Sequence, residues 1–330
     1  MQTIQNNKQD NAPLVSFIVT AYNLPPDLLR ECIGSIVALS LGRSEREIIV
    51  VDDGSDGFVV CDLAEYDRDI IYVRTPNGGV SMARNMGLRM ASGRYIQFVD
   101  GDDMLISAPY EHCLDIARYD DADMVLFDFT RELGSKGDLF GKPEPMGGAE
   151  YMRSHNIRGA ACCYLFRRDM LGSLRFTPGR RYGEDEEFTP QLLLRAEKIY
   201  DTAVKAYYYR RRDTSAIGKA DVRSRLQRLD DNVSVISRLL DVADTLPTTE
   251  SAAMHRRVAQ LTMDYIYNVI VTTRSVSHVE KRLEALRGKG LFPLPDKDYT
   301  RKYRWFRRMT GSRIGLNILV ATLPLIKRER

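Results

Sequence analysis

Between residues 14 and 130, short and continuous apolar runs alternate with segments of helical periodicity. The runs include LVSFIVT (14–20), EIIVVDD (47–53) and RYIQFVD (94–100). Continuous runs of this kind are typical of strands buried on both faces of a parallel sheet, whereas strands with one solvated face alternate apolar and polar residues. Helical crossovers allow successive strands to run in parallel. The pattern therefore predicts an α/β fold with parallel strands flanked by helices.

Polar residues follow three of these predicted strands at the point where each strand ends. Asn23 follows the first strand, Asp52–Asp53 the second, and Asp100–Asp103 the fourth. In open α/β sheets, ligands bind beyond the carboxyl ends of the strands. The three sets of polar side chains therefore indicate a single binding edge.

Three carboxylates in FVDGDD (98–103) stand almost together directly after an apolar run. Like charges this close repel one another, and burying them without a partner is costly. A divalent cation such as Mg²⁺ or Mn²⁺ prefers oxygen ligands and commonly completes its shell with water and substrate phosphates. A tight turn is the alternative interpretation, since Asp and Gly favour turns. The position after a buried strand favours a cation held against a diphosphate.

Two further motifs lie at predicted helix starts. NGGVSMARN (77–85) begins beside a glycine pair that can approach phosphates, although it matches neither the P-loop nor the GxGxxG pattern. YGEDEEF (182–188) contains four consecutive acids. These acids either form a solvated first helical turn or raise one carboxyl pKa by mutual repulsion, which suits a general base.

Composition bears on partners and compartment. The net charge is only +3, so a general polyelectrolyte binder is not expected and no nucleic-acid partner is predicted. The five cysteines have neither framework nor zinc-ligand spacing, and they are expected to be reduced thiols that mostly fill the core. The first residues contain no hydrophobic signal segment, which favours a cytoplasmic protein.

Residue character divides the chain into three regions. We expect a flexible tail over residues 1–12, an α/β domain over 13–219 and a helical region over 220–330. The Gly- and Pro-rich segment 131–148 is expected to be a loop. Apolar periodicity in the last region predicts helices over 221–243, 249–275 and 277–288.

The end of the chain combines basic and apolar residues. From Thr300 onward nine residues are basic and one is acidic. The apolar stretch 314–326 is shorter than the about 20 residues that a membrane span needs. One interpretation is a final helix packed on the core, with a solvated basic flank. The other is a peripheral anchor on an anionic membrane surface, with Tyr303, Trp305 and Phe306 at the headgroup boundary.

Six motifs in a fixed order resemble those of the family 2 glycosyltransferases with the GT-A fold, a Rossmann-like mixed sheet, of the type that builds bacterial surface polysaccharides. The motifs are TAYN (20–23), VVDDGS (50–55), NGGVSMARNMG (77–87), FVDGDD (98–103), YGEDEEF (182–188) and YYYRRRDTS (207–215). The family's usual DSDD reads DGDD here, which keeps every carboxylate.

The resemblance implies roles for residues at the strand ends. Tyr22 and Asp53 would contact the nucleotide base, and Arg84 would lie close to it. Asp100 would bind the ribose or order the metal loop. Asp102 would coordinate the metal, Mn²⁺ or Mg²⁺, that bridges the donor diphosphate.

The resemblance also implies a catalytic pair and a loop residue. Asp185 would deprotonate the acceptor hydroxyl, with Glu184 beside it. Arg210 would hold the donor diphosphate or the closing loop, a role for which Arg211 and Arg212 compete. The remaining donor-binding residues implied by the matched motifs are Thr20, Asn23, Asp52 and Asn77.

These roles imply a metal-dependent, inverting glycosyltransferase of the hexosyltransferase type. Its donor would be a nucleotide sugar, UDP-linked by family habit, and its acceptor a glycan or lipid-linked hydroxyl at the inner face of the cell membrane. An inactive sugar-nucleotide-binding scaffold is one alternative. A nucleotidyltransferase is another, although such an enzyme usually has a Gly- and Arg-rich phosphate loop where TAYNLPP (20–26) stands.

Overall fold

The structure, a computed structural model, describes residues 12–57, 59–134, 141–180, 182–211 and 222–326. Its contacts divide the chain into an α/β unit (1–148 and 159–215) and a helical unit (149–158 and 216–330). Residues 149–158, which the sequence analysis placed in the α/β domain, group with the helical unit because Arg256 donates hydrogen bonds to their backbone carbonyls.

Some of the expected features lie outside the described residues. They are all but the last residue of the expected tail, residues 135–140 of the expected loop, and the part of YYYRRRDTS after Arg211.

Among the described residues, the α/β unit contains one eight-stranded mixed sheet. Its strands are Val15–Ala21 (β1), Arg46–Asp52 (β2), Ile70–Arg74 (β3), Tyr95–Asp100 (β4), Met104–Leu105 (β5), Met124–Thr130 (β6), Tyr164–Arg167 (β7) and Ile199–Tyr208 (β8). The spatial order is β3-β2-β1-β4-β7-β6-β8-β5. The first four strands pair in parallel, β7 is antiparallel to both of its neighbours, and β6 pairs in parallel with β8. The parallel strands expected from the apolar runs and the mixed sheet implied by the resemblance are both confirmed.

The register brings three strand ends to the same level. Thr20 of β1 lies opposite Val51 of β2 and Asp100 of β4. The backbone N–H of Gly101 donates to the Thr20 carbonyl, and that of Asp53 donates to the Ala21 carbonyl, each at 2.9 Å. The loops that follow β2 and β4 are thus held to the end of β1.

Helices cover the sheet and complete its core. The α/β unit contains Pro26–Val37 (α1), Val80–Met90 (α2), Ser107–Tyr119 (α3) and Glu184–Leu193 (α5). Residues on both faces of β1, such as Phe17 and Ile18, have no exposed surface. At Gly87 of α2 a Cβ atom would lie 2.2 Å from a methyl carbon of Ile18, so the absence of a side chain there allows the helix to approach β1 closely. Burial on both faces explains why the strands read as continuous apolar runs.

The helical unit confirms three predicted helices to within two residues at each end. They are Val222–Thr245 (α6), Thr248–Thr273 (α7) and Val276–Arg287 (α8). The short helix Gly148–Ser154 (α4) begins at the boundary between the units. Within the described ranges, no helix is both long and apolar enough to cross a bilayer.

The C-terminal segment differs from the single helix expected. It forms two helices, Arg301–Thr310 (α9) and Arg313–Ile326 (α10). Tyr303 and Phe306 are buried in the helical unit, so their expected place at a headgroup boundary is wrong. The reason is helical periodicity, which turns these two side chains inward and leaves Trp305 48% exposed.

Four of the five cysteines, Cys32, Cys113, Cys162 and Cys163, are buried, and none forms a disulfide. The fifth, Cys61, is exposed. The prediction that the thiols mostly fill the core is confirmed.

Candidate active site

The loop after β1 is joined to the loop after β2. The backbone N–H of Asn23 donates to Ser55 Oγ at 2.9 Å, and the Asn23 amide exchanges two hydrogen bonds with Asp56. Asn23 has a φ of 46°, a left-handed conformation that asparagine tolerates better than most residues. Tyr22, which precedes Asn23 in this loop, keeps 48% of its surface exposed. An exposed ring at this edge is suited to stacking on a base.

Asp53 holds the loop that leads into α2. Its two carboxylate oxygens accept hydrogen bonds from the backbone N–H groups of Gly78 and Gly79, at 2.9 and 2.8 Å. The side chain is buried, while the neighbouring Asn77 is exposed. Asp53 therefore shapes the loop, a role that the sequence did not indicate, and its contact with a base stays a prediction.

Asp52 is buried but well partnered. Its carboxylate accepts hydrogen bonds from the Ser55 backbone N–H at 2.9 Å and from Tyr72 Oη at 2.7 Å, with Arg74 Nε at 3.6 Å. Burial acts to raise the pKa of Asp52, but the hydrogen bonds from Ser55 and Tyr72 outweigh it and leave the pKa below its ordinary value. Asp52 is thus an ionised anchor beneath the binding edge.

Arg84 joins the two groups of acids singled out from the sequence. Its guanidinium donates to Asp185 Oδ1 at 2.5 Å and to Asp100 Oδ1 at 3.1 Å, and Glu184 Oε1 lies 3.7 Å away. The Arg84 side chain is only 4% exposed. These partners make Arg84 the counter-ion of the acids in the site, and its expected position close to the nucleotide base stays a prediction.

Two aromatic rings complete the surroundings of this guanidinium. Its central carbon lies 5.7 Å from the Phe98 ring and 5.3 Å from the Phe176 ring. The nearby acids raise the pKa of Arg84 further despite its burial, so it is charged at every relevant pH.

Glu184 and Asp185 form the first turn of α5 and are mostly buried. Burial, followed by the charge of Asp185, raises the pKa of Glu184 to about 7. Burial also raises the pKa of Asp185, while the Arg84 guanidinium and the Ala161 backbone N–H, 3.0 Å from Asp185 Oδ2, oppose that rise. The pair therefore combines one firmly held carboxyl with one that titrates close to neutral pH.

The DGDD turn is attached to the end of β8. Asp103 accepts hydrogen bonds from Tyr207 Oη at 2.9 Å and from the Arg210 backbone N–H at 2.8 Å. The Arg210 side chain donates to the Asp102 carbonyl at 3.0 Å and pairs with Glu31. Burial and then the charge of Asp100 raise the pKa of Asp103 to about 8. Arg210 thus anchors the turn in this structure, and its contact with a diphosphate stays a prediction.

The acids at this turn fit a cation only in part. Within the described residues, no group of three or more His, Cys, Asp or Glu side chains could hold a metal ion by itself. Asp103 is held by Tyr207 and Arg210, so the candidate ligands for a cation are Asp102 and Asp100, of which Asp100 also pairs with Arg84. One or two carboxylates completed by substrate phosphates is a usual environment for Mg²⁺ in proteins. The two residues therefore fit a cation whose remaining ligands come from a diphosphate.

Sequence reasoning missed several residues that position the site. Asp52 is held by Ser55 and Tyr72. Asp103 is held by Tyr207, and Arg210 by Glu31. Tyr207 lies within a quoted motif, but its partner Asp103 is 104 positions away, and no local pattern connects the two.

Comparison with known proteins gives one family and several relatives. The model of "Glycosyl transferase family 2" matches residues 16–172. The chain is 32% identical over 218 residues to the "Uncharacterized glycosyltransferase EpsJ" of Bacillus subtilis, an alignment that covers 62% of each protein. It is 31% identical over 208 residues to the "Minor teichoic acid biosynthesis protein GgaB" of the same organism, covering 60% of this chain and 23% of GgaB. The matched part is thus less than two thirds of either relative.

Solved structures share the fold at low identity. S. aureus TarS 1-349 in complex with UDP-GlcNAc has a TM-score of 0.56 and 16% identity, covering 90% of this chain and 91% of that one. The mannosyltransferase PcManGT from Pyrobaculum calidifontis, in complex with GDP-Man and Mn²⁺, has a TM-score of 0.58 and 16% identity, covering 96% and 88%. These likenesses concern the fold alone.

We predict that Glu184→Gln changes the pH dependence of stability. The pKa of Glu184 is raised from 4.5 to about 7 in the folded state, so the folded protein keeps a proton that the unfolded chain loses. The contribution of this proton to the free energy of unfolding is complete below the pKa of Glu184 in the unfolded chain. It is lost as pH rises through the pKa of Glu184 in the folded protein. Thermal melts at about pH 4.5 and about pH 8 provide the measurement. The Tm of the variant minus the Tm of wild type should be larger at the higher pH, because only wild type loses this contribution as pH rises.

Glu144→Gln, at an exposed glutamate, is the matched control for this prediction. Its Tm difference from wild type should be the same at both pH values. A Glu184→Gln difference that is equally independent of pH would contradict the raised pKa.

Proposed function

Because this chain carries a family 2 glycosyltransferase domain with the GT-A fold, we propose that it transfers a sugar from a nucleotide sugar to an acceptor hydroxyl. The observation that carries the proposal is the cluster around Arg84, which brings acids from the end of β4 and the start of α5 together at the binding edge. A UDP-linked donor is proposed because TarS was solved with UDP-GlcNAc, while the GDP-Man complex of PcManGT indicates that the fold admits other nucleotides.

The reaction we propose is a single displacement. The acceptor oxygen attacks the anomeric carbon while the bond from that carbon to the diphosphate breaks, and the acceptor proton passes to Asp185. One displacement inverts the anomeric configuration. Arg84 and the Ala161 N–H hold the Asp185 carboxyl in a fixed orientation, which supports its assignment as the base. Glu184 lies beside it as the partner whose protonation changes near neutral pH.

Asp102 and Asp100 are the residues that would hold Mn²⁺ or Mg²⁺. When bound, the cation supplies positive charge to the departing diphosphate. PcManGT was solved with Mn²⁺, which supports the choice of metal.

The acceptor we propose is a glycan or lipid-linked hydroxyl of a cell-surface polymer. The printed role of GgaB in minor teichoic acid biosynthesis supports this class. Presentation of such an acceptor at the inner face of the membrane would favour a protein that associates peripherally with that surface.

The helices α9 and α10 support peripheral association in a form that differs from the one expected. Ile314, Ile318, Ala321 and Leu325 of α10 are all exposed and fall at helical spacing, so they form one apolar stripe. On α9 the exposed positions with the same spacing are Arg301, Trp305 and Arg308. Apolar and Trp side chains combined with arginines are typical of helices that lie in an anionic interface.

We predict that excess EDTA abolishes the release of nucleoside diphosphate from the donor sugar and that added Mn²⁺ restores it. Asp102→Asn should lose most activity and bind the donor more weakly, because a neutral amide is a poorer ligand for a hard cation. A screen of nucleotide sugars with a lipid-linked acceptor, read out as diphosphate release, provides the measurement. Full turnover in EDTA would exclude the metal, and donor binding with no turnover under any condition would favour an inactive scaffold.

We predict that Asp185→Asn leaves donor affinity near wild type but lowers kcat by on the order of 10²-fold or more, the usual scale for loss of a general base. Glu184→Gln should lower kcat less and shift its pH profile. The two variants are to be compared by steady-state kinetics, with the product anomer determined by NMR. Normal turnover of Asp185→Asn would assign the base elsewhere, and retention of configuration would contradict the single displacement.

We predict that Ile314→Ser/Ile318→Ser reduces binding to anionic vesicles by about tenfold or more. Removing one buried aliphatic side chain costs about 1.5–3 kcal/mol of apolar transfer, and about 1.4 kcal/mol is tenfold. Both residues are exposed in the protein, so folding should be little affected. Tyr119→Ser, at a side chain that is 78% exposed in the α/β unit, is the control and should bind like wild type in co-sedimentation. No vesicle binding by wild type at low salt would exclude the anchor.

A further inference from the structure

The helical unit is the basic part of the chain. Residues 149–158 and 216–330 contain 24 basic and 13 acidic residues, a net charge of +11, whereas the rest of the chain contains 24 basic and 32 acidic residues, a net charge of −8. The overall charge of +3 conceals this difference. A strong local excess of one charge attracts ligands of the opposite charge.

A cavity of about 250 Å³ lies within this basic unit. Its lining comes from the residues after α4, from α7 and from the start of α9. We propose that this cavity binds a phosphate ester of a polyol, and that the helical unit thereby holds a segment of an anionic, hydroxyl-rich acceptor. That the ligand belongs to the acceptor rests on the proposed function, whereas the binding itself does not.

The lining of the cavity includes a buried cation and a buried amide. Arg257 and Gln260 are 6% and 8% exposed. One N–H of the Arg257 guanidinium donates to the Ile157 carbonyl at 2.9 Å, which fixes the side chain against the segment after α4. A planar guanidinium held in this way is well suited to bind phosphate oxygens.

Asn156, an exposed residue of the lining, contributes hydrogen-bond donors. Its Oδ1 accepts from Arg256 Nη2 at 3.2 Å and from Gln260 Nε2. These two donors fix the orientation of the Asn156 amide. In the flipped orientation, the Asn156 NH₂ group would face the N–H groups of Arg256 and Gln260. The NH₂ group, which has no partner among the described residues, is therefore available to a ligand that accepts hydrogen bonds.

Arg256, which contacts Asn156, adds a second buried positive charge next to the lining. Its guanidinium donates to the carbonyls of Met152 and His155 as well as to Asn156, and it lies 5.8 Å from the Tyr299 ring. None of these four partners of Arg256 is a carboxylate. Arg256 and Arg257 also tie α7 to the segment 152–157.

The rest of the lining selects for hydroxyl groups as well as for charge. Lys302, in the first turn of α9, and Asp264, on α7, are both exposed on the lining, together with the half-buried Tyr299. The lining has two cationic side chains, Arg257 and Lys302, and one carboxylate, Asp264, which favours an anionic ligand. A carboxylate can accept hydrogen bonds from ligand hydroxyls, and the hydroxyl of Tyr299 can both accept and donate them. A phosphate ester of a polyol combines both requirements.

The test measures binding of glycerol 3-phosphate to the full-length protein by calorimetry and NMR, with glycerol and inorganic phosphate as comparison probes. Lys302→Glu should weaken glycerol 3-phosphate binding by roughly tenfold or more, because a charge-assisted contact becomes a repulsion. Lys302→Arg should retain it. An acid is favoured at a helix N-terminus, so Lys302→Glu should fold normally.

Lys297→Glu is the matched control, since it makes the same charge change at an exposed lysine that does not line the cavity. The proposal is overturned if glycerol 3-phosphate does not bind, if Lys297→Glu weakens binding as much as Lys302→Glu, or if neutral glycerol binds equally well. Binding of dihexanoyl phosphatidylglycerol without binding of glycerol 3-phosphate would instead assign a lipid headgroup and overturn the acceptor-segment proposal. Because no nucleotide sugar is present, failure of this binding and failure of turnover are separate results.

Discussion

The candidate site depends on one buried guanidinium. Arg84 of α2 is in contact with Asp185 at the start of α5 and with Asp100 at the end of β4, and Glu184 lies within Coulombic reach. Without this charge, three mostly buried acids would repel one another, and breaking a buried ion pair typically costs about 3–5 kcal/mol. Arg84 therefore allows the acids to remain together at the sheet edge, and the pKa of Glu184 near 7 is a consequence of the same crowded, dry environment.

A second set of contacts gives the acidic turn after β4 a fixed shape. Asp103 accepts hydrogen bonds from Tyr207 and from the Arg210 backbone, so it has a structural role, whereas Asp100 and Asp102 are the carboxyls proposed to bind a cation. Asp53 and Asp52 are likewise buried, and each accepts hydrogen bonds from the backbone of a loop. Several acids that stand out in the sequence thus shape the backbone around the site, while the exposed groups beside them are the ones placed to meet a ligand.

The two units differ in charge as well as in architecture. The α/β unit is acidic and contains the carboxylates that suit a metal-bound diphosphate, whereas the helical unit is basic and contains two buried arginines and exposed basic and apolar helix surfaces. An enzyme that joins a nucleotide sugar to an anionic surface polymer has to handle two negatively charged substrates. Under the function proposed here, a cation held by the acids would serve the donor, and fixed basic side chains would serve the acceptor.

The sequence by itself determined the mostly parallel sheet, the three long helices and the strand ends at which the acids meet. These features follow from local periodicity and from the rule that parallel strands end at one edge. It did not reveal that Arg84 joins Asp100 to Asp185, that Asp103 is held by Tyr207, or that Tyr303 and Phe306 of the basic tail are buried. Only the tertiary structure decided these points, because contacts between residues about 100 positions apart, and the face that a helix buries, depend on how the elements pack.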